Sequence, residues 1–269
     1  MIAKVIAFIF GSIVGSFLNV CIHRMPAGES VVWPRSHCPG CKKKIPGYDN
    51  IPFVSFMLLG GRCRFCKQKI SLRYPLVELI TAAGFLLFFA RFGLSYEFFF
   101  YIILLSGLII ASFIDIKHRI IPDEISIGGI ILGFVLVSIK GFDLRPLAFD
   151  FRPMLDSFLG IIIGGGVIYL TGLAFDAVYF KLLKRPPIQG ETESMGGGDV
   201  KLLAMIGAFL GLKCVFLTFI LAPFFALSFG LYNLIFKKDH TLPYGPFLSL
   251  AALVALFLSD KIFRLFIFL

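Results

Sequence analysis

The sequence predicts an all-α polytopic membrane protein with about eight transmembrane helices and a small polar insert between helices 1 and 2. Of the 269 residues, 58% are hydrophobic and only 16% are charged, which is more apolar than a water-soluble core requires. Long apolar runs also recur along the whole chain, and about 20 such residues cross a bilayer. The runs are 5–22, 74–90, 98–114, 125–139, 157–175, 202–212, 214–236 and 241–259.

Some of these runs differ from an ideal membrane span. Run 74–90 contains Glu78, and runs 125–139 and 202–212 are short enough to need flanking residues. Run 5–22 follows a single lysine, and no A-x-A cleavage site comes after it. We therefore interpret this first run as an anchor and not as a signal peptide.

The positive charge of the chain is unevenly distributed. In a soluble protein a net charge of +10 would suggest nucleic acid, but in this apolar chain we expect a lipid bilayer and no nucleic acid as partner. The positive-inside rule places the more basic loops in the cytosol and both termini outside, although loop 140–155 on the outer side carries three basic residues. The cytosolic set, with 18 of the 26 lysines and arginines, is 24–75, 116–124, 181–201 and 237–240.

The insert contains two C-x2-C motifs, HCPGCKKK and GRCRFCKQK, with 21 residues between the second and third cysteines. Four thiolates from two such turns close a tetrahedral Zn²⁺ site, and the neighbouring basic residues favour the thiolate form. A structural zinc ion would stabilise a short insert that buries little core. The alternative is a pair of disulfides or free thiols, and a reducing cytosol argues against disulfides. The predicted ligands are Cys38, Cys41, Cys63 and Cys66, whereas Cys21 and Cys214 are interpreted as packing residues.

Two aspartates lie at the predicted edge of the membrane. Asp115 ends run 98–114 in FIDIKHRIIPDE, and Asp199 opens run 202–212 in GGGDVK. Ionisable side chains in spans are rare and usually functional. The alternative is that both are interfacial charges that mark helix ends, with Lys117 and Lys201 as counterions.

Two aspartates at one site have a defined chemistry. The pair shares one proton, so the ionised member activates a water molecule while the protonated member polarises a carbonyl group. The glycines before Asp199 let another backbone approach closely, and the first turn of a helix favours its carboxylate. Such a dyad would hydrolyse an amide bond, and the residues alone leave this interpretation open beside that of two interfacial charges.

These motifs together resemble the type IV prepilin peptidases, a family of bacterial aspartic membrane proteases with a G-x-G-D signature. The resemblance covers nearly the whole chain, and the matching segments follow the family order. They are GSFLNVCIHRMP (15–26), the two cysteine motifs, RYPLVELIT (73–81), FIDIKHRIIPD (113–123), GGGDVK (196–201) and LPYGPFLSLA (242–251).

The resemblance implies an activity and a location. Asp115 and Asp199 would form the catalytic pair that removes the basic leader from prepilins or pseudopilins at the cytosolic face of the bacterial inner membrane. It also implies a division into a first transmembrane helix (1–23), a methyltransferase-associated zinc insert (24–75) and a peptidase core (76–269).

Members with the zinc insert also resemble N-methyltransferases that use S-adenosylmethionine, so we expect both activities. Gly61 and the membrane-edge Glu78 are the candidates for binding this methyl donor, and the alternative for Glu78 is an ordinary acid at a helix start. Asn19 is expected to join two helices by hydrogen bonds.

Three other functions are compatible with parts of the pattern: a peptidase without methyl transfer, a transporter or proton relay, and a zinc-dependent binding protein. A relay predicts acids stepped through the membrane. The acids Asp115, Asp123, Asp176 and Asp199 instead cluster at one predicted face. A zinc-dependent binding protein gives no reason for GGGD at a helix start.

Overall fold

A computed structural model describes residues 1–143, 148–178, 196–236 and 242–267. Strands are limited there to an antiparallel pair of two residues each, β1 (Phe142–Asp143) and β2 (Ala148–Phe149). The all-α prediction is confirmed, and most of the predicted loops 181–201 and 237–240 lies outside the described residues. The helices are α1 (Ile2–Arg24), α2 (Val54–Leu58), α3 (Arg73–Phe92), α4 (Tyr96–His118), α5 (Asp123–Lys140), α6 (Arg152–Asp176), α7 (Gly197–Phe236) and α8 (Gly245–Ile267).

The described helices account for every predicted span. Six of them are long and apolar enough to cross a membrane, namely α1, α3, α4, α6, α7 and α8. Helix α5 has 18 residues with charges at both ends. Helix α7 contains two helical segments that meet at Gly211 and correspond to runs 202–212 and 214–236. The multi-pass membrane fold, with an insert between the first two long helices, is confirmed.

The chain divides into two compact units, Met1–Ile114 and Asp115–Leu269. In the first unit, α1 and α3 approach each other through glycines: a Cβ atom on Gly15 would lie 2.7 Å from the Cα atom of Glu78. Small residues allow such close packing of helices in lipid. The side-chain amide of Asn19 also donates to the carbonyl oxygen of Tyr74 at 3.0 Å, so Asn19 joins two helices as predicted. The predicted functional division of the chain stays a prediction.

In the second unit, α6 and α7 are in backbone contact. Gly160 and Gly207 face each other so closely that neither position has room for a Cβ atom. One turn from this contact, the hydroxyl of Ser157 donates to the carbonyl oxygen of Ala208 at 2.7 Å. The two helices are therefore fixed against each other by shape and by a buried hydrogen bond.

The break in α7 has an identifiable cause. Gly211 has a φ of 75° and a ψ of −179°, a conformation that glycine adopts without steric conflict. The next residue begins the second helical segment, and the Leu212 N–H donates to Oδ1 of Asp156 at 3.1 Å. A side chain from α6 thus satisfies a backbone donor that the break would otherwise leave without a partner.

Replacing Gly207 with valine is expected to lower the free energy of unfolding by about 1–3 kcal/mol, because the new side chain has to displace the backbone of α6. Thermal unfolding of the purified protein in detergent measures this effect. Gly166→Val is the matched control, because Gly166 lies in α6 with open space where its Cβ atom would be. Equal losses of stability in the two variants would contradict the close packing at Gly207.

Candidate active site and metal centre

The four cysteines of the insert come together in the first unit. Their Sγ atoms all lie within 4.8 Å of one another, and the Sγ atoms of Cys38 and Cys66 are 3.7 Å apart. A zinc–sulfur bond of about 2.3 Å in a tetrahedron requires sulfur separations of about 3.8 Å, whereas a disulfide bond is about 2.05 Å long. All four thiols are free. The cluster therefore fits one metal ion, and it contains neither of the alternative disulfides.

The two cysteine motifs repeat one backbone geometry. The Lys42 N–H donates to the carbonyl oxygen of Cys38 at 2.9 Å, and the Lys67 N–H donates to that of Cys63 at 3.0 Å. Both lysines have a positive φ, of 56° and 58° respectively. The sequence predicted two ligand pairs, and the structure adds that they are two copies of the same turn.

The thiols of the second motif differ in acidity. Hydrogen bonds with the backbone of Cys66 and Phe65 lower the pKa of Cys63 to about 6. A backbone hydrogen bond with Gln68 acts in the same direction on Cys66, but burial and hydrogen bonds with the other three thiols raise its pKa to about 11. The cluster therefore retains protons at neutral pH that a bound metal ion would displace.

The second unit contains the site of the predicted catalytic pair. Asp115 lies near the end of α4 with only 6% of its surface exposed. Its Oδ2 atom accepts a hydrogen bond from the Gly245 N–H, at the start of α8, with a distance of 2.9 Å. A Cβ atom on Gly245 would lie 3.0 Å from the same oxygen. The glycine thus lets the start of α8 contact the Asp115 carboxylate directly.

Asp199 lies in the first turn of α7, as predicted. The glycine before it packs against the turn that follows α4, where a Cβ atom on Gly198 would lie 3.1 Å from that of Ile121. Asp115 and Asp199 are near enough for their charges to interact. The structure therefore brings the predicted pair together at the end of α4 and the start of α7.

Sequence reasoning missed a third contributor to this site, Tyr244, which precedes α8. Burial and the negative charge of Asp199 raise the pKa of Tyr244 to about 12, so its hydroxyl keeps its proton at neutral pH. The signal available in the sequence was LPYG at the start of an apolar run, where proline and glycine indicate a turn against a neighbour.

Comparison with known proteins identifies the family. Two family models match the chain: Bacterial Peptidase A24 N-terminal domain over residues 9–92 and Type IV leader peptidase family over residues 102–231. A prepilin leader peptidase/N-methyltransferase of Stutzerimonas stutzeri is 35% identical, over 95% of this chain and 91% of the relative. The chain belongs to the type IV leader peptidase family.

Other members of the type IV leader peptidase family carry the same name as the first relative. The protein from Pseudomonas aeruginosa is 32% identical over 96% of this chain and 91% of its own length. The protein from Myxococcus xanthus is 40% identical over 77% of this chain, and the match spans 56% of that relative. No solved structure matches the chain. The resemblance inferred from the motifs is confirmed.

The two family matches divide the candidate sites between them. The N-terminal match includes the four cysteines, Gly61 and Glu78, and the type IV leader peptidase match includes Asp115 and Asp199. Lys201, which the alternative interpretation gave to Asp199 as a counterion, instead pairs with Asp123, with Nζ and Oδ1 2.6 Å apart. The positive charge of Lys201 is thus neutralised by Asp123, next to the pair, and not by Asp199.

Gly61 and Glu78, the candidates for binding the methyl donor, have separate hydrogen-bond partners in the described part of the chain. Oε2 of Glu78 accepts the Phe53 N–H at 3.1 Å. Gly61 donates to the carbonyl oxygen of Phe56 at 2.9 Å and accepts the Ile70 N–H at 2.8 Å. Their role in cofactor binding stays a prediction.

Proposed function

We propose that this chain is a bifunctional membrane enzyme that cleaves the leader from type IV prepilins or pseudopilins and N-methylates the new N-terminus. The observation that carries the cleavage proposal is the convergence of Asp115 and Asp199 in one compact unit, with their charges interacting. The names of the relatives supply the substrate class and the second activity.

The dyad hydrolyses the peptide bond without a covalent intermediate. The ionised carboxylate takes a proton from water as the water oxygen attacks the scissile carbonyl, and the protonated carboxyl gives its proton to the carbonyl oxygen. When the tetrahedral intermediate collapses, the C–N bond breaks and the leaving amine takes the proton from the carboxyl that deprotonated water. A hydroxyl of the intermediate then returns its proton to the other carboxylate as the new carboxyl product forms. The pair ends with the single proton with which it began.

Backbone and side-chain donors position this pair. The Gly245 N–H holds one oxygen of Asp115, so the other oxygen is directed to the water or the substrate. Tyr244 retains its proton and provides an O–H donor near Asp199. Donors fixed in this way stabilise charge that develops during the reaction without having to reorganise.

The cysteine cluster is proposed to hold a structural Zn²⁺ ion. Cys38, Cys41, Cys63 and Cys66 are four sulfur ligands within 4.8 Å of one another, and sites made of four cysteines are typical of structural zinc. When bound, the ion supplies folding energy to the insert.

Methyl transfer would use S-adenosylmethionine as the donor. Asn19 and Glu78 fit part of such a site, because Oδ1 of Asn19 is buried without a partner among the described residues and Glu78 is a buried carboxylate. Both are acceptors for N–H or O–H groups of a ligand. Gly61 is the third proposed contact. When bound, the donor supplies the methyl group that the substrate amine takes.

We propose a location in the bacterial inner membrane, and the distribution of charge supports an active site that faces the cytosol. The end of α4 and the start of α7 adjoin two of the four loops that together hold 18 of the 26 lysines and arginines, and the insert is a third of these loops.

A synthetic prepilin peptide tests the function directly. The peptide carries a basic leader, Gly-Phe and an apolar helix, and its products are followed by mass spectrometry with purified protein and S-adenosylmethionine. Cleavage after glycine and a product heavier by one methylene group are expected. Cleavage without the added mass would leave a peptidase alone, and absence of both products would contradict the proposal.

Gly245→Ala is expected to lower kcat about 10²-fold while KM changes by less than about 3-fold, because its methyl group displaces the Asp115 carboxylate without touching a distant binding surface. Steady-state cleavage of the same peptide measures both constants. Gly128→Ala in α5 is the control, since open space surrounds its Cβ position. Unchanged kcat in Gly245→Ala would show that the Asp115 contact is not needed for positioning.

A further inference from the structure

One segment of the insert is free of charge. Residues 50–61, NIPFVSFMLLGG, contain no acid and no base, although Asp49 precedes them and Arg62 follows them. An apolar stretch of this length is too short to span a bilayer and is typical of a buried helix or of a re-entrant or interfacial segment.

The exposed face of this segment is apolar. Ile51, Val54, Met57 and Leu58 point outward, and Met57 and Leu58 are 77% and 82% exposed. Ser55, the polar residue of α2, is buried instead. A helix on the surface of a water-soluble domain shows the reverse arrangement.

Two contacts place the segment beside residues of α1 and α3 that lie inside these helices and away from their ends. The ring of Phe53 stacks on that of Phe8, with the centroids 6.3 Å apart. Phe8 precedes Arg24, the last residue of α1, by 16 residues. At a rise of 1.5 Å per residue, the Cα atom of Phe8 lies about 24 Å along the helix axis from that of Arg24. The Phe53 N–H reaches Glu78, in the second turn of α3.

Several polar groups of the segment have internal partners. Oε2 of Glu78 accepts the Phe53 N–H at 3.1 Å, the Ser55 hydroxyl oxygen accepts the Ile51 N–H at 3.0 Å, and the same hydroxyl donates to the carbonyl oxygen of Tyr48 at 2.8 Å. Irregular backbone at membrane depth requires such partners because lipid offers none. This requirement accounts for a buried carboxylate and a buried serine in an otherwise apolar part of the first unit.

We propose that residues 50–61 form a re-entrant segment that enters the bilayer from the side where α1 ends and α3 begins, with the face formed by Ile51, Val54, Met57 and Leu58 in contact with lipid acyl chains. The cysteine motifs on either side then lie at the level of the headgroups, where basic side chains meet anionic lipid. Their basic residues are Lys42, Lys43, Lys44, Arg62, Arg64, Lys67 and Lys69. This placement does not depend on the proposed catalytic function.

Tryptophan fluorescence tests the placement, because the chain has one tryptophan, Trp33. In a Trp33→Phe background, Leu58→Trp and Met57→Trp each report on the exposed face of α2. Phe65→Trp, in the second cysteine motif, is the matched control. Each protein is reconstituted into vesicles whose lipids carry bromine on the acyl chains, and iodide is added to the water in a parallel series.

Acyl bromine is expected to quench Leu58→Trp and Met57→Trp strongly and Phe65→Trp weakly, and iodide is expected to give the opposite order. Equal iodide quenching in all three variants would place the segment in water and overturn the proposal. Protection of positions 57 and 58 from both quenchers would overturn it too, because a protein partner would then cover the face. Metal content equal to that of the parent protein verifies that the insert is folded in each variant.

Discussion

Asp115→Asn and Asp199→Asn are each expected to lower prepilin-peptide cleavage by about 10³-fold or more, because the members of a catalytic unit are not individually dispensable. Asparagine preserves the shape of the side chain but neither ionises nor carries an acidic proton. The Asp115 variant even retains an oxygen that accepts the Gly245 N–H, so its fold is expected to persist. Cleavage rates of purified variants measure the effect.

Asp123→Asn is the matched control for both aspartates. Asp123 lies near the same end of the bundle, is more than half exposed and forms a surface ion pair with Lys201. Such pairs contribute about 0–1 kcal/mol, so cleavage by this variant is expected to stay near the wild-type rate. If either dyad variant cleaved at the wild-type rate, the substituted aspartate would be only an interfacial charge and would not take part in catalysis.

Cys63→Ser is expected to abolish stoichiometric metal binding and to unfold the insert. Structural zinc contributes about 10–16 kcal/mol to folding in small zinc peptides at neutral pH, and an insert with few buried residues has little to replace it. Elemental analysis of the purified protein measures the metal. Limited trypsin digestion within residues 24–75, which contain many basic residues, measures the loss of structure.

Cys214→Ser is the control for this substitution. Its thiol lies in α7, 3.9 Å from the carbonyl oxygen of Ala255 and outside the sulfur cluster. This variant is expected to retain one metal ion per chain and the wild-type digestion pattern. Full metal content in Cys63→Ser would show that the four sulfurs do not form the site.

The features that the sequence predicted are those that a short stretch of residues specifies. Lipid requires long apolar runs, so the helices were recognisable one at a time. Two C-x2-C turns fix pairs of metal ligands locally. Asp115 and Asp199 were recognisable because carboxylates at a membrane edge are rare.

The features that the sequence did not predict depend on contacts between distant residues or on backbone groups. Gly245 lies 130 residues after Asp115, and its contribution is an N–H group that almost any residue carries. The pairing of Lys201 with Asp123 in place of Asp199 is likewise decided by packing. The membrane contact of residues 50–61 was not predicted because the segment is short and lies between basic cysteine motifs that dominate the composition of the insert.

The contact between Gly160 and Gly207 also determines the position of Asp199, the proposed catalytic carboxylate. Gly207 follows Asp199 by eight residues in the same unbroken segment of α7, which is about 12 Å along the helix axis. Two helix backbones in direct contact cannot move closer together. The position of α6 therefore fixes the position of this segment of α7. A larger side chain at Gly207 would therefore displace Asp199 and lower the cleavage rate, even in a molecule that remains folded.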